Sequence, residues 1–359
     1  MYDFDTNDKI SEQHLLFGVS RVNLQERLVL PCAVDFGTSA KSRVVNAQKK
    51  IKKMLRQSSL SCWLGRPEAR THFVLHADYH ATFESVRPLR AKHVASIIVL
   101  AGGWTHSLEL WRQDGNTRQF EPTPCVADRS FLLSTIQKAV RRANSAAAAS
   151  AALELAHFDF VALARRLPII AIEDVCPNQN LCAAVWLMLA CAKGAPPCLE
   201  DIAEMVLYSA ELATCMQRDD RFKAGKVPAY QSAWRRAAEV GDHTAMALVV
   251  RAAFGGMRGD VNMLLRASAA DHRTAQRLTV KLGDVNRLSV HVAIPEAVDF
   301  HCEPDMLDEL AKLHDVERTR IRAAIWHNSS ACNVRTPTAS HHETELWHAI
   351  LMNVRRIQT

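Results

Sequence analysis

No run of apolar residues in this sequence reaches the ~18 needed to span a bilayer. The longest candidate, Leu181 to Ala192, stops at Lys193, Gly194 and a Pro pair. Aromatic residues make up only 6%. None of the 10 cysteines forms a Cys-x-x-Cys pair, which excludes ribbon and finger zinc sites. There is no Gly-x-x-x-x-Gly-Lys-Ser/Thr, no Gly-x-Gly-x-x-Gly, no His-Glu-x-x-His and no Gly-x-Ser-x-Gly. The common nucleotide hydrolases, dinucleotide enzymes, zincins and hydrolase elbows lose their signatures here. The opening, Met1 to Asp5, is acidic and lacks a charged-then-apolar leader pattern. No cofactor and no membrane partner is expected from these absences.

What is present is ordinary globular composition. The chain has 359 residues, 48% hydrophobic and 23% charged, which rules out a wholly disordered chain, a collagen-like fibre and a coiled-coil rod. The formal charge is +6 and the pI about 8.8. That balance permits a polyanionic partner without demanding one, so the clustering of the charge matters more than its sum. Several cysteines (Cys182, Cys191, Cys215) fall inside apolar helical runs, and they read as reduced thiols in a reducing intracellular compartment: cytoplasm, nucleus or virus particle.

The expected fold is α+β, a β-containing N-terminal part followed by a larger, mainly helical part. Three segments are expected: a mixed α/β domain over 1–125, a helical domain over 126–285 and a C-terminal helical segment over 286–359. Thr71 to Leu75 and Ala95 to Leu100 read as strands, the second ended by Ala101-Gly102-Gly103. Ser107 to Arg112 alternates and Asp114-Gly115-Asn116 offers turn chemistry, so a hairpin is expected over Leu108 to Phe120. Helices are expected from 130 to about 285, with breaks at Pro196-Pro197 and Gly241-Asp242. Further helices are expected over Pro304 to His314, Val316 to His327 and Glu343 to Arg356, and a strand over Leu288 to Ile294. Ala139-Val140-Arg141-Arg142-Ala143 and Ala233-Trp234-Arg235-Arg236-Ala237 echo one another, each leading into an Ala-rich helix. Two copies are too few for a solenoid.

Three groups of residues could carry chemistry. Lys49, Lys50, Lys52, Lys53 and Arg56 sit in a basic amphipathic stretch, and with Arg141 and Arg142 they could neutralise phosphates along a nucleic acid. The competing reading is a solvated helix face. Asp299, His301, Cys302 and His327 flank a helical hairpin and could converge as metal ligands (His301, Cys302, His327) or as a Cys/His nucleophile pair. The competing reading there is helix capping. Finally, Arg165 and Arg166 precede Pro168, and Glu173 and Asp174 follow it; an intramolecular ion-pair network is the plain reading. Pro168 itself suits a helix's first turn or a kink. His76 and His80 share a face whether in helix or strand, so their spacing decides nothing.

The stretch from Gln137 through Arg142, the Ala-rich helix, and Leu163-Ala164-Arg165-Arg166-Leu167 running into Ala171-Ile172-Glu173-Asp174-Val175 resembles the helical collar of the replication-associated recombination protein A family of clamp-loader-like AAA+ proteins. The resemblance covers residues 136–189. It implies a module for packing and oligomerisation in a replication or repair setting, with Arg165, Arg166, Glu173 and Asp174 in assembly. It does not imply an ATPase, because the phosphate-binding motif is missing. The leading expectation is therefore a non-enzymatic, nucleic-acid-associated assembly protein with protein partners or self-association. The rivals are a metal- or Cys/His-dependent enzyme and a structural component of a large particle such as a virion.

Overall fold

The structure is a computed structural model, and it describes residues 70–113, 117–123, 129–280, 304–330 and 339–357. It is α+β. Among the described residues four strands come first: β1 (Thr71–Leu75), β2 (Ala81–Glu84), β3 (Ala91–Ala101) and β4 (Trp104–Gln113). Seven helices follow within one core: α1 (Arg129–Arg141), α2 (Ser145–Asp174), α3 (Asn180–Ala192), α4 (Leu199–Thr214), α5 (Tyr230–Val240), α6 (His243–Ala253) and α7 (Arg258–Ala267). Then come α8 (Pro304–His314), α9 (Arg318–Ile325) and α10 (His341–Ile357).

The sheet order is β2-β1-β4-β3, with β1 and β4 parallel and the other pairs antiparallel. The expected hairpin over Leu108 to Phe120 does not form. Instead β4 pairs with β3 through the two-residue turn Gly102-Gly103, with Ala101 opposite Trp104. Both glycines have positive φ, 53° and 79°. That is the conformation a tight hairpin demands and the reason glycine is needed twice in succession. Asp114-Gly115-Asn116 lies outside the described residues. Beyond it, Gln119 bridges to Cys198 rather than returning along β4.

The centre of the molecule is α3. Every residue from Asn180 to Ala190 is buried, as befits a helix that is apolar all round. Leu181, Val185, Leu187, Met188 and Leu189 each contribute about 2 kcal/mol by leaving water. Trp186, also buried, donates its indole N–H to the Phe73 carbonyl of β1 at 2.9 Å, which docks the sheet on the helices. The helix packs beneath β1 and β2 on one side and against α2, α4 and α6 elsewhere.

Helix α2 is interrupted at Asp159, whose φ and ψ (−157°, 85°) are extended. The break, not Pro168, divides the helix. Asp159 caps the second half by accepting from Ala162 N–H at 2.9 Å, and Pro168 lies within that half. Assembled as one helix, α2 is long and apolar enough to cross a membrane by length and composition, with a mean hydropathy of 1.4 over its best window. In the fold 61% of that window is buried in protein.

Aromatic side chains, scarce in the sequence, concentrate where α5 and α6 meet the sheet. Phe73 stacks on Phe83 at 3.9 Å, and Trp234 meets Phe83, Trp104 and His106 at 5.5, 5.4 and 4.3 Å. His243 accepts the Phe83 backbone N–H through Nδ1 at 3.1 Å. The two Arg-Arg pairs of the apparent repeat occupy different places: Arg141 ends α1 whereas Arg235 and Arg236 lie mid-helix in α5. A second, smaller core joins Leu307, Leu310, Ile321, Ala324, Ile325, Trp347 and Ile350 of α8, α9 and α10. These helices match the expected ones closely, while the strand expected over Leu288 to Ile294 lies outside the described residues.

Burial pushes the His106 imidazole down from 6.5 to about 4. The unfolded chain takes up this proton as pH falls through 6.5, whereas the folded chain does not until pH nears 4. Its contribution to stability is therefore complete above 6.5 and is lost between 6.5 and 4. Denaturant unfolding at about pH 7 and about pH 5 should show His106→Phe gaining on the wild type by about 1–2 kcal/mol at the lower pH. An unchanged difference would show that His106 is protonated inside the fold.

Candidate functional site

Arginines from three segments come together: Arg129 opens α1, Arg165 and Arg166 lie in the second half of α2, and Arg251 lies in the last turn of α6. The break in α2 positions part of this face, because Asp159 turns outward to pair with Arg129 at 3.1 Å. Arg251 is 1% exposed. Among the described residues it makes no ion pair; instead its Nε donates to the Arg165 carbonyl at 2.9 Å and its Nη1 to the Gly255 carbonyl at 2.8 Å. Burial, reinforced by the nearby Arg165 charge, pushes it down to about 9.

Arg165 is half-buried, its guanidinium over the Phe254 ring at 5.4 Å. Among the described residues it finds no carboxylate at ion-pair distance, and neither does Arg166. Burial and then the charges of Arg129 and Arg166 lower the Arg165 pKa. Asp260 also faces this group. Burial raises its pKa even though Arg166, Arg251 and Arg165 all pull it down. The cations therefore outnumber the carboxylates near them. Phe158, next to Asp159 in sequence, is 54% exposed.

The residues singled out in the sequence separate into three fates. Arg141 is committed within the fold: its Nε donates to Asp174 at 2.7 Å and its Nη2 to Glu173 at 3.0 Å. Gln137 donates to the same two carboxylates. Burial, then Asp174, raises the Glu173 pKa. Arg142 reaches back to the Lys138 carbonyl of its own helix. The network foreseen between Arg165-Arg166 and Glu173-Asp174 is thus a network of Arg141 with those carboxylates. Along one helix, residues two turns apart are separated by roughly 11 Å, too far for an ion pair. Lys49, Lys50, Lys52, Lys53 and Arg56, with Asp299, His301 and Cys302, lie outside the described residues. His327 is placed, and its Nδ1 meets Glu343 Oε1 at 3.1 Å while Asn328 binds the Ala324 and Glu343 carbonyls.

A second polar cluster escaped the sequence reading. Arg112 at the end of β4 forks onto Asp201 at 3.0 and 2.9 Å. Tyr79 donates its hydroxyl to Asp201 at 2.8 Å, and Arg112 also reaches the Cys198 sulfur at 3.3 Å. Asp201 accepts the Cys198 N–H as well, closing a capping box at the start of α4. The spacing Cys198-x-x-Asp201 after Pro196-Pro197 is the sequence signal that could have found it. Burial opposes the Arg112 charge, but the hydrogen bonds and charge of Asp201 outweigh it and raise its pKa. Burial and then Asp201 raise the Tyr79 pKa. The cleft beside it, lined by His76, Tyr79, Arg112 and Glu200 among others, holds about 60 Å³. Substrate pockets run to some ~300 Å³ or more. The cluster is a clamp between the sheet and α4. His76 and His80 stack at 5.7 Å across the β1–β2 turn beside it. Among the described residues no three His, Cys, Asp or Glu side chains stand together as metal ligands.

No family model, no curated protein and no solved structure matches this chain.

Asp201→Ala removes a buried carboxylate, strands Arg112 and uncaps α4. Denaturant unfolding should show a loss of about 3–5 kcal/mol. A cost below about 1 kcal/mol, in the range of exposed pairs, would refute the clamp.

Proposed function

We propose that this chain is a non-enzymatic, nucleic-acid-associated assembly protein whose phosphate contacts centre on the arginine face of Arg129, Arg165 and Arg166. The observation that carries the reading is Arg165: a half-buried guanidinium over the Phe254 ring, pressed by Arg129 and Arg166 more than Asp260 and Asp159 relieve it, with no carboxylate at pairing distance among the described residues. A phosphate diester would supply the missing negative charge, and guanidinium geometry suits it in a fork. Arg141 drops out of the contact set because Glu173 and Asp174 hold it. The Lys49 to Arg56 stretch would extend the electrostatic footprint. The assembly half of the reading rests on the collar resemblance and on the long, packed pair α1–α2. An enzymatic reading through Asp299, His301, Cys302 and His327 draws no support from His327, whose ring is engaged with Glu343.

Fluorescence anisotropy with a labelled single-stranded oligonucleotide over a salt series tests the contact. Log affinity should fall linearly with log salt, and the charge-reversing pair Arg165→Glu with Arg166→Glu should weaken binding at least about tenfold and shallow the slope by about one to two. Arg141→Ala should leave that slope unchanged. No binding at low salt, or an unaltered slope in the double variant, would remove the proposal. Sedimentation over a range of protein concentration tests the assembly half: a single monomeric species throughout would end it.

A further inference from the structure

We propose that Cys176 and Cys215 are a redox pair, closing to an intramolecular disulfide when the chain meets hydrogen peroxide. Their sulfurs lie 4.0 Å apart. Both are half-buried, so a small oxidant can reach them. Cys176 follows Val175, the cap of α2, and Cys215 is the C-cap of α4. The two segments are already tied together: Asp219 N–H donates to the Val175 carbonyl at 2.7 Å, and Arg218 Nη1 reaches the Asp174 carbonyl at 3.4 Å. Asn178 holds the Cys176 carbonyl at 2.9 Å. The thiols therefore need to approach by about 2 Å to reach bonding distance.

Among the described residues no other two thiols lie this close. Cys182 is buried, and burial pushes its thiol up to about 12. Burial does the same to Cys191, again to about 12. Cys198 is buried against the Arg112–Asp201 clamp, and burial raises it too. These three are poor nucleophiles, since the thiolate is the reactive form.

The chemistry balances in two displacements. One sulfur attacks a peroxide oxygen, the O–O bond breaks, and a sulfenic acid forms as the first water leaves. The second sulfur attacks the sulfenic sulfur, the S–O bond breaks, the S–S bond forms and the second water leaves. Two thiols give up two electrons and two hydrogens, and one peroxide becomes two waters. Thiol reductants reverse the step. The bridge would staple the exits of α2 and α4 around α3, fixing the two helices that flank it. This inference is independent of the nucleic-acid reading, since it rests on the sulfur separation alone.

The test uses the full chain. Peroxide treatment, blocking of remaining thiols with iodoacetamide, and proteolysis should yield one linked peptide pair containing Cys176 and Cys215, lighter by two hydrogens. Dithiothreitol should abolish it, and oxidised protein should unfold at a higher temperature than reduced protein. In Cys215→Ser the pair should vanish and dimedone should capture Cys176 as the sulfenic acid. Recovery of both cysteines as carbamidomethyl adducts after peroxide, or of Cys176 joined to a different cysteine, would overturn the inference. Because the decisive reading is made on the wild-type chain, a poorly folding variant does not blunt it.

Discussion

The fold depends on hiding α3 from water on every side. A helix whose residues from Asn180 to Ala190 are all buried cannot sit at a surface. It forces neighbours onto all its flanks: the sheet above, α2 and α4 beside it, α6 opposite. Its few polar groups are then obliged to find partners. Trp186 reaches the Phe73 carbonyl, and Asn180 donates to Glu211 at 2.8 Å while accepting the Leu278 N–H at 2.9 Å. Glu211 is itself pushed up to about 7, chiefly by burial. The polar contacts thus specify which neighbour sits where, while apolar burial supplies most of the favourable free energy.

With the neighbours of α3 fixed, the charges on its flanking helices divide into two kinds. On the α1–α2 seam, Arg141 is matched by Asp174 and Glu173 and works as an internal joint. Around the α2 break and the Gly255-Gly256 loop the match is incomplete, and Arg251 is spent on backbone carbonyls instead. Buried arginine satisfied by main-chain oxygen still carries its charge, so the surrounding guanidiniums feel it and the field at the surface rises. Neighbouring Arg-Arg pairs in one sequence therefore have opposite fates, decided by what the next helix presents to them.

Much of the architecture was legible. Alanine-rich and leucine-rich periodicity marked the helices, and Gly241-Asp242 marked a turn between two of them, because these signals are local. The strand hairpin was misplaced because two turn-forming sequences competed; the pairing partner, which only tertiary contacts decide, selected Gly102-Gly103. The break in α2 at Asp159 went unforeseen, since a proline such as Pro168 is conspicuous while an Asp acting as an internal cap looks like any charged residue. The partner of Glu173 and Asp174 lay more than thirty residues upstream in α1. No spacing rule reaches that far, and the same holds for Arg112 and Asp201, which come from a strand and a helix separated by the whole of α1, α2 and α3. The basic stretch Lys49 to Arg56 and the Asp299 to Cys302 group fall outside the described residues.

The seven-residue apolar cluster of α8, α9 and α10 shares no member with the large core. Each cluster is held by its own burial, so loss of one does not strip the other of its contacts. Heating should then produce two endotherms, or one whose calorimetric enthalpy exceeds its van't Hoff value. Amide protons of α9 should exchange through a lower-energy opening than those of α3. Among the described residues these are two cooperative units of very unequal size, and the smaller can melt and re-form while the larger keeps its shape.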